Sequence, residues 1–323
     1  ASHLSMLVLD PPRPPRRALR PPASALMRPL RPAARAAVGA AVLAACLAPL
    51  SRGATPAAAA QPPAGAAGDS VLPGVEVLLR DSLHLLRGKR VGLITNHSGR
   101  DRQGRSTIDL LHKAPGVRLT ALYAAEHGIR GAEKAGAKIA ASVDSATGVP
   151  IHSLYGAHRA PTAAMLRDVD VLVYDMQDVG ARVYTYVWTM ALAADSAGKP
   201  FVVLDRPNPI RADRVDGGLL LKGHESFVGL HPVAMRYGLT PGELLRWLAG
   251  TGRAKAPAVH VVPMAGYRRA MWWEETKLPW VNPSPNLRDV EATLVYTGTV
   301  FFEGTNLSEG RGTDAPFKLV GAP

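Results

Sequence analysis

The sequence predicts an α/β fold, a parallel sheet with helices on both faces, and three observations carry that expectation. Short runs that are apolar throughout, instead of alternating, recur from Val91 onward, as strands buried on both faces require. Helical stretches separate these runs, the pattern of successive βαβ units. Each of the first four runs ends in a polar segment, and in an open parallel sheet ligands bind outside the carboxyl ends of the strands.

Residues 90–96 (Arg-Val-Gly-Leu-Ile-Thr-Asn) read as the first strand, followed by a loop and a helix near Thr107–Lys113. Residues 117–123 form the second strand. Pro161, placed at the first helical position where its missing N–H costs nothing, opens a helix to about Arg167. The third strand covers 169–174, and a helix over 186–197 stops at Gly198-Lys199-Pro200 before the fourth strand at 201–204. A helix over 241–248 leads to a weaker fifth strand at 259–264.

Residues 1–70 belong to none of this. They hold 21 Ala and 12 Pro with no aromatic residue, so they cannot bury enough surface to offset their ordering entropy. Within them lies a basic stretch from Met27 to Arg35, an apolar run from Ala36 to Leu50 and small residues through Ala60. That is the layout of a secretory signal peptide over about 27–60, with Met27 as a start, and it predicts an exported protein, periplasmic or extracellular. The apolar run is shorter than the roughly 20 residues of a membrane span. Leu43-Ala44-Ala45-Cys46 resembles a lipobox, which makes Cys46 a candidate lipid anchor, although Leu47 is an unusual follower and Ala58-Ala59-Ala60 offers an ordinary cleavage site. The leader's eight arginines against two aspartates account for half of the chain's net charge of +12. What remains is mildly basic and gives no argument for nucleic acid.

The four strand ends carry the chemistry. They are Asn96-His97-Ser98-Gly99, then Glu126-His127-Gly128-Ile129-Arg130, then Asp175-Met176-Gln177-Asp178-Val179-Gly180, and Asp205-Arg206-Pro207-Asn208. No glycine-rich phosphate loop follows the first strand, which argues against a nucleotide cofactor. No His-Glu-x-x-His spacing points to a metal, and no Gly-x-Ser-x-Gly to a serine nucleophile. The only basic-aromatic run, Arg268 to Trp273, is followed at once by Glu274-Glu275, so a nucleic-acid surface is not expected. Carboxylates among neutral hydrogen-bonding groups suit a sugar. Glu126, just past an apolar strand, is placed to act as a general acid, or else pairs with Arg130 as a helix-entry ion pair. Asp178 with Arg182, Tyr184 and Tyr186 is a second polar group, in which a tyrosine can orient water or act as base or nucleophile and an arginine can hold an anion. Asn286 and the glycine-rich tail loop with Glu303, Asn306, Glu309 and Arg311 complete the cleft candidates. Trp272, Trp273 and Trp280 serve either as a sugar-stacking surface or as core.

Taken together, Thr95-Asn96-His97-Ser98-Gly99, Glu126-His127-Gly128-Ile129-Arg130-Gly131, the run from Asp175 to Tyr186, Leu204 to Pro209, Phe227-Val228-Gly229, Pro283 to Asn286 and Phe302 to Thr313 resemble the NamZ-type exo-β-N-acetylmuramidases. The resemblance implies a Rossmann-like catalytic domain over 71–317, and a small C-terminal auxiliary domain of which 318–323 is only the start. It implies a glycoside hydrolase that removes N-acetylmuramic acid from the non-reducing ends of peptidoglycan fragments, with no cofactor and no metal. Glu126 carries over as the leading catalytic residue. Asp178 and Tyr184 are the further catalytic candidates. Asn96, His127, Arg130, Gln177, Arg182, Asp205, Arg206, Asn208, Asn286, Glu303, Asn306, Glu309 and Arg311 carry over as substrate-binding candidates. The lactyl carboxylate of muramic acid needs a cation, for which Arg182, Arg206 and Arg311 are available. Ala125 stands where the family usually has Pro, and Tyr237 where His is common. The alternative, of a different class, is a muropeptide-binding protein without turnover.

Overall fold

Residues 70–126, 128–130 and 142–323 are described by a computed structural model. The leader, the signal-peptide segment, Cys46 and His127 lie outside the described residues. Nine strands are present among the described residues: β1 (Arg90–Thr95), β2 (Arg118–Ala124), β3 (Ser142–Val143), β4 (Pro150–Ser153), β5 (Val171–Asp175), β6 (Phe201–Leu204), β7 (Asp216–Leu219), β8 (Ala234–Arg236) and β9 (Val259–Val262). Seven of them form one sheet in the order β3-β4-β2-β1-β5-β6-β9, while β7 and β8 make a separate antiparallel pair. Every pairing in the large sheet is parallel except that of β3 with β4. Counted among themselves, the six parallel strands run 3-2-1-4-5-6, the doubly wound order, with its switch point between β1 and β5.

The apolar runs are continuous because each strand serves two cores. Ile94, Leu172, Tyr174, Phe201 and Val203 face one core, and their chain neighbours Leu93, Val171, Val173, Val202 and Leu204 face the other. The first core is covered by α3 (Tyr186–Ser196), α4 (Pro241–Gly250) and Tyr296 of α6 (Val290–Thr299). The second is covered by α1 (Gly74–Val77), its π and 3₁₀ continuation to Leu85, and α2 (Thr107–Lys113). A short α5 (Trp273–Thr276) belongs to a third, smaller cluster in which Trp273 and Trp280 meet edge to face at 5.1 Å, so these two tryptophans are core. None of the helices among the described residues is long and apolar enough to cross a membrane.

The helix expected over 161–167 does not form; residues 163–168 make turns instead. Leu166 N–H bonds back to Thr162 and Ala163, but the Met165 carbonyl is taken by the Tyr123 hydroxyl at 2.8 Å, and Leu166 and Val169 are both drawn into the core. The strand expected over 259–264, β9, ends at Val262, because Ala265 pairs with Leu72 and Met264 turns into the third cluster.

Candidate active site

Turn chemistry stitches the loops after β1 and β5 into one surface at the switch point. Thr95 Oγ1 donates to the Asp175 carbonyl at 2.6 Å. Asn96 Oδ1 accepts from the Ser98 N–H at 2.9 Å and from its hydroxyl at 2.6 Å, and Ser98 Oγ in turn accepts the Gln177 N–H at 2.9 Å. The Gln177 amide donates to the carbonyls of Asp178 and Pro207, both at 2.8 Å. Asp178 closes its own turn by accepting from Gly180 N–H at 2.8 Å. Gly180 has φ of +78°, and a Cβ there would lie 2.4 Å from Asn208 Oδ1, so both conformation and space demand glycine. Asp178 also accepts from the Tyr237 hydroxyl. Burial pushes its carboxyl up to about 6, against the lowering effect of these bonds.

Glu126 leaves the end of β2 half-buried, facing a group of tyrosines. Tyr155 lies beside it, and burial, followed by the charge of that carboxylate, pushes Tyr155 up to about 12. The field of Glu126 also reaches Tyr186 and Tyr296, and that of Asp178 reaches Tyr184, Tyr186 and Tyr296. Tyr184 packs edge-on against Tyr186 at 4.6 Å and against Tyr296 at 6.4 Å. Tyr186 is committed to the Pro283 carbonyl at 2.6 Å, whereas the buried Tyr184 hydroxyl makes no hydrogen bond. Glu126 and Asp178 thus look onto one aromatic patch from the ends of β2 and β5.

Nine buried side-chain polar atoms among the described residues lack a hydrogen-bond partner, and six of them cluster here: Asn96 Nδ2, His97 Nδ1, Tyr174 Oη, Gln177 Oε1, Asp178 Oδ1 and Tyr184 Oη. Because buried polar groups are ordinarily satisfied, the concentration singles out this end of the sheet. His97 donates through Nε2 to the Asn282 carbonyl at 2.7 Å, and burial lowers its pKa, so it is neutral with Nδ1 as a bare acceptor.

Other residues expected at the cleft have protein partners of their own. Arg206 is buried and pairs with both oxygens of Asp175, whose carboxylate also accepts from Thr107. Asp205 accepts from Gly242 N–H at 2.9 Å and from Thr240 Oγ1 at 2.8 Å, which anchors the start of α4; burial pushes it up to about 6. Asn208 spans Ile210 N–H and the Leu239 carbonyl. Arg130 forks onto Asp144 at 2.8 and 2.9 Å and reaches Asp109. Arg182 donates Nη1 to the carbonyls of Gly218 and Val233, on the β7–β8 side. In the tail loop Arg311 sits between Glu303 and Glu309 and over the Phe317 ring, which stacks edge-on with Tyr296 at 4.8 Å, so the loop reaches the aromatic patch through Tyr296. Asn306 is exposed on that loop, and Asn286 is half-buried in the turn after Ser284.

Sequence reasoning missed Tyr155 and Tyr296 and gave Tyr237 no role. Tyr155 follows β4, a strand of four residues with no apolar run to announce it. Tyr296 lies on a helix whose polar and apolar residues are interspersed around all sides, so no stripe marked which side met the cleft.

The family model described as exo-beta-N-acetylmuramidase NamZ, N-terminal, matches residues 91–291, and its C-terminal counterpart matches 294–323. The chain is 46% identical over 256 residues to the peptidoglycan beta-N-acetylmuramidase NamZ of Bacillus subtilis (strain 168), covering 78% of this chain and 62% of that protein. Two crystal structures of DUF1343 family proteins from Bacteroides fragilis NCTC 9343 are similar. One has a TM-score of 0.72 at 43% identity, covering 78% of this chain and 65% of that one. The other has a TM-score of 0.67 at 33% identity, covering 78% and 67%. The chain therefore spans less than two thirds of the Bacillus relative. With the N-terminal model alone covering more than half of its residues, this chain belongs to the exo-β-N-acetylmuramidase NamZ family.

Proposed function

We propose that the protein is an exo-acting glycoside hydrolase that releases N-acetylmuramic acid from the non-reducing ends of peptidoglycan fragments, with Glu126 as general acid. The observation that carries this reading is the position of Glu126 at the carboxyl end of β2, against Tyr155 and facing the aromatic patch it shares with Asp178, in a chain 46% identical to a peptidoglycan beta-N-acetylmuramidase. Glu126 gives its proton to the departing glycosidic oxygen as the bond to the anomeric carbon breaks. The carboxylate left behind is held by the Tyr155 hydroxyl. Asp178, with one oxygen free of partners, and the unbonded Tyr184 hydroxyl support the charge that develops on the sugar and orient the water that replaces the leaving group. A small pocket between Ser98, Gln177, Arg206 and Trp273 lies nearby. It contains neither Glu126 nor Asp178, so we place the reaction at the tyrosine patch.

The leader's signal-peptide layout supports export to the compartment where cell-wall fragments occur, with Cys46 as an optional lipid anchor. A chromogenic β-N-acetylmuramide tests the activity. Release of the aglycone is expected, with Glu126→Gln slower by about 100-fold or more. Saturable binding of muropeptides without release would favour a binding protein instead, and an unaffected Glu126→Gln would remove Glu126 from its role.

A further inference from the structure

One face of α2 forms the wall of an open cavity of about 330 Å³, lined by Arg100, Arg105, Asp109, Leu110, Lys113 and Arg130 among others. Asp109, Leu110 and Lys113 recur at helical spacing, on the side away from the buried Thr107, Ile108 and Leu111. Four cations meet one carboxylate there, and they come from three segments: the loop after β1, the last turn of α2 and the stretch after β2. Three of the four are fixed by one edge. Arg105 donates Nε to Asp101 at 2.6 Å, and Arg130 donates Nε and Nη2 to Asp144 at 2.8 and 2.9 Å. The side chains of Asp101 and Asp144 are 0% and 3% exposed, so the arginines are held from beneath. Arg100 is held by carbonyls, His97 through Nε at 2.7 Å and Gly104 through Nη1 at 2.6 Å. These bonds do not use Arg100 Nη2, the terminal nitrogens of Arg105 or Arg130 Nη1. Lys113 is exposed and has no ion-pair partner among the described residues.

Guanidiniums fixed by one edge and joined by an unpaired ammonium are preorganised for an oxyanion. A carboxylate offers two oxygens in one plane to a single fork, whereas cations arriving from three segments match a group with three or more oxygens. Leu110 is the one apolar side chain in the lining, so the cavity suits a small charged group instead of an apolar ligand. We propose that this cavity is a phosphate-binding site, separate from the reaction centre. Ile108, Leu111 and Ile129 belong to the second core, whereas Tyr184, Tyr186 and Tyr296 belong to the first, so the cavity lies across the sheet from the tyrosine patch. The site therefore goes beyond the glycosidase reading and does not rest on it. Two sources share the chemistry, a small sugar phosphate and the phosphodiester of a polymer.

Equilibrium binding to the full 323-residue chain tests the site, with inorganic phosphate, glucosamine 6-phosphate, poly(glycerol phosphate) and acetate as probes. The leader's eight arginines attract polyanions by themselves, so variants of equal net charge are compared. Lys113→Glu places a negative charge inside the cavity, whereas Lys222→Glu makes the same change in the exposed stretch after β7. The wild type is expected to bind phosphate saturably, Lys113→Glu at least about tenfold more weakly, the size of one good charge-assisted contact. Lys222→Glu should match the wild type, and Lys113→Arg should keep most of the affinity. A sugar phosphate bound more tightly than inorganic phosphate, with the polymer no tighter per phosphate, assigns the site to small phosphates. A polymer bound more tightly per phosphate, with that gain lost in Lys113→Glu alone, assigns it to phosphodiesters. No saturable phosphate binding, acetate bound as tightly as phosphate, or equal losses in the two Glu variants overturns the proposal. Turnover of a chromogenic muramide is read separately, without phosphate. Lys113→Glu is expected to keep the wild-type rate, and a folded Lys113→Glu that has lost it overturns the separation from the reaction centre. Phosphate binding in a chain that hydrolyses no muramide sinks the glycosidase and leaves the site.

Discussion

At the scale of single residues, Asp178 shows how a position can be costly to the fold and useful to the site. It is buried with one oxygen satisfied by Gly180 and Tyr237 and the other unpaired, and its carboxyl is raised from the ordinary aspartate value of 3.8 to about 6. A raised carboxyl favours the protonated native state, so its contribution to stability is full below about pH 4 and is lost as pH rises through about 6. Asp178→Asn removes that loss. Relative to the wild type, the variant is expected to gain on the order of 3 kcal/mol between pH 4 and pH 6 and nothing further above it, while hydrolysis of a muramide falls. Urea unfolding at a series of pH values checks the first, and a difference that stays flat across the window would show that Asp178 is not the raised group. Gly180→Ala, at positive φ and against Asn208, should cost at least about 1–2 kcal/mol from conformation alone, measured by thermal unfolding.

At the scale of elements, α4 is held by its first turn. Thr240 accepts from Glu243 N–H at 3.2 Å while Glu243 reaches back to the Thr240 N–H at 2.9 Å, and Pro241 occupies the first helical position. The same threonine hydroxyl donates to Asp205, whose other oxygen takes Gly242 N–H. Thr240→Ala therefore removes a cap and a partner of a buried carboxylate together, and a loss of about 2 kcal/mol is expected by urea unfolding, at the upper end for a cap. Ser106→Ala at α2, where the serine is a cap alone, should cost about half as much. Equal costs would mean that the Asp205 contact adds nothing. A helix over 241–248 was expected from sequence, and α4 forms there. The stretch at 161–167 carried an equally good opening proline and makes turns instead, with Leu166 and Val169 packed into the core and the Met165 carbonyl bonded to the Tyr123 hydroxyl.

For the molecule as a whole, the Arg206–Asp175 pair is the tie between the loops of β1, β5 and β6 and the start of α2. Asp175 receives Arg206 and Thr107, and Arg206 also donates to the Arg100 carbonyl at 2.7 Å. Breaking one side of a buried pair leaves the other charge uncompensated. Arg206→Met is accordingly expected to destabilise the fold by about 3–5 kcal/mol in urea unfolding, and to weaken activity only as far as the fold is lost. A variant of full stability but no activity would place Arg206 at the substrate after all.

The amino-acid pattern was sufficient for the middle of the sheet. β1, β5 and β6 are largely apolar runs buried on both faces, which leaves little freedom in how they can be used, whereas β3 and β4 at the edge carried no such signal. It also placed Glu126, Asn96, Gln177 and Asp178 at strand ends, because in a parallel sheet the chain direction decides which end faces the ligand. It could not say which of Arg182, Arg206 and Arg311 keeps its charge available, since a guanidinium is neutralised by whatever carboxylate the fold brings to it. Asp175 is 31 positions from Arg206, while Arg182 meets only the carbonyls of Gly218 and Val233. The aromatic patch has the same origin. Tyr155, the Tyr184–Tyr186 stretch and Tyr296 come from three segments, two of them on elements with no legible signal, and they meet around Glu126 and Asp178 only because packing at the switch point closes long loops in three dimensions.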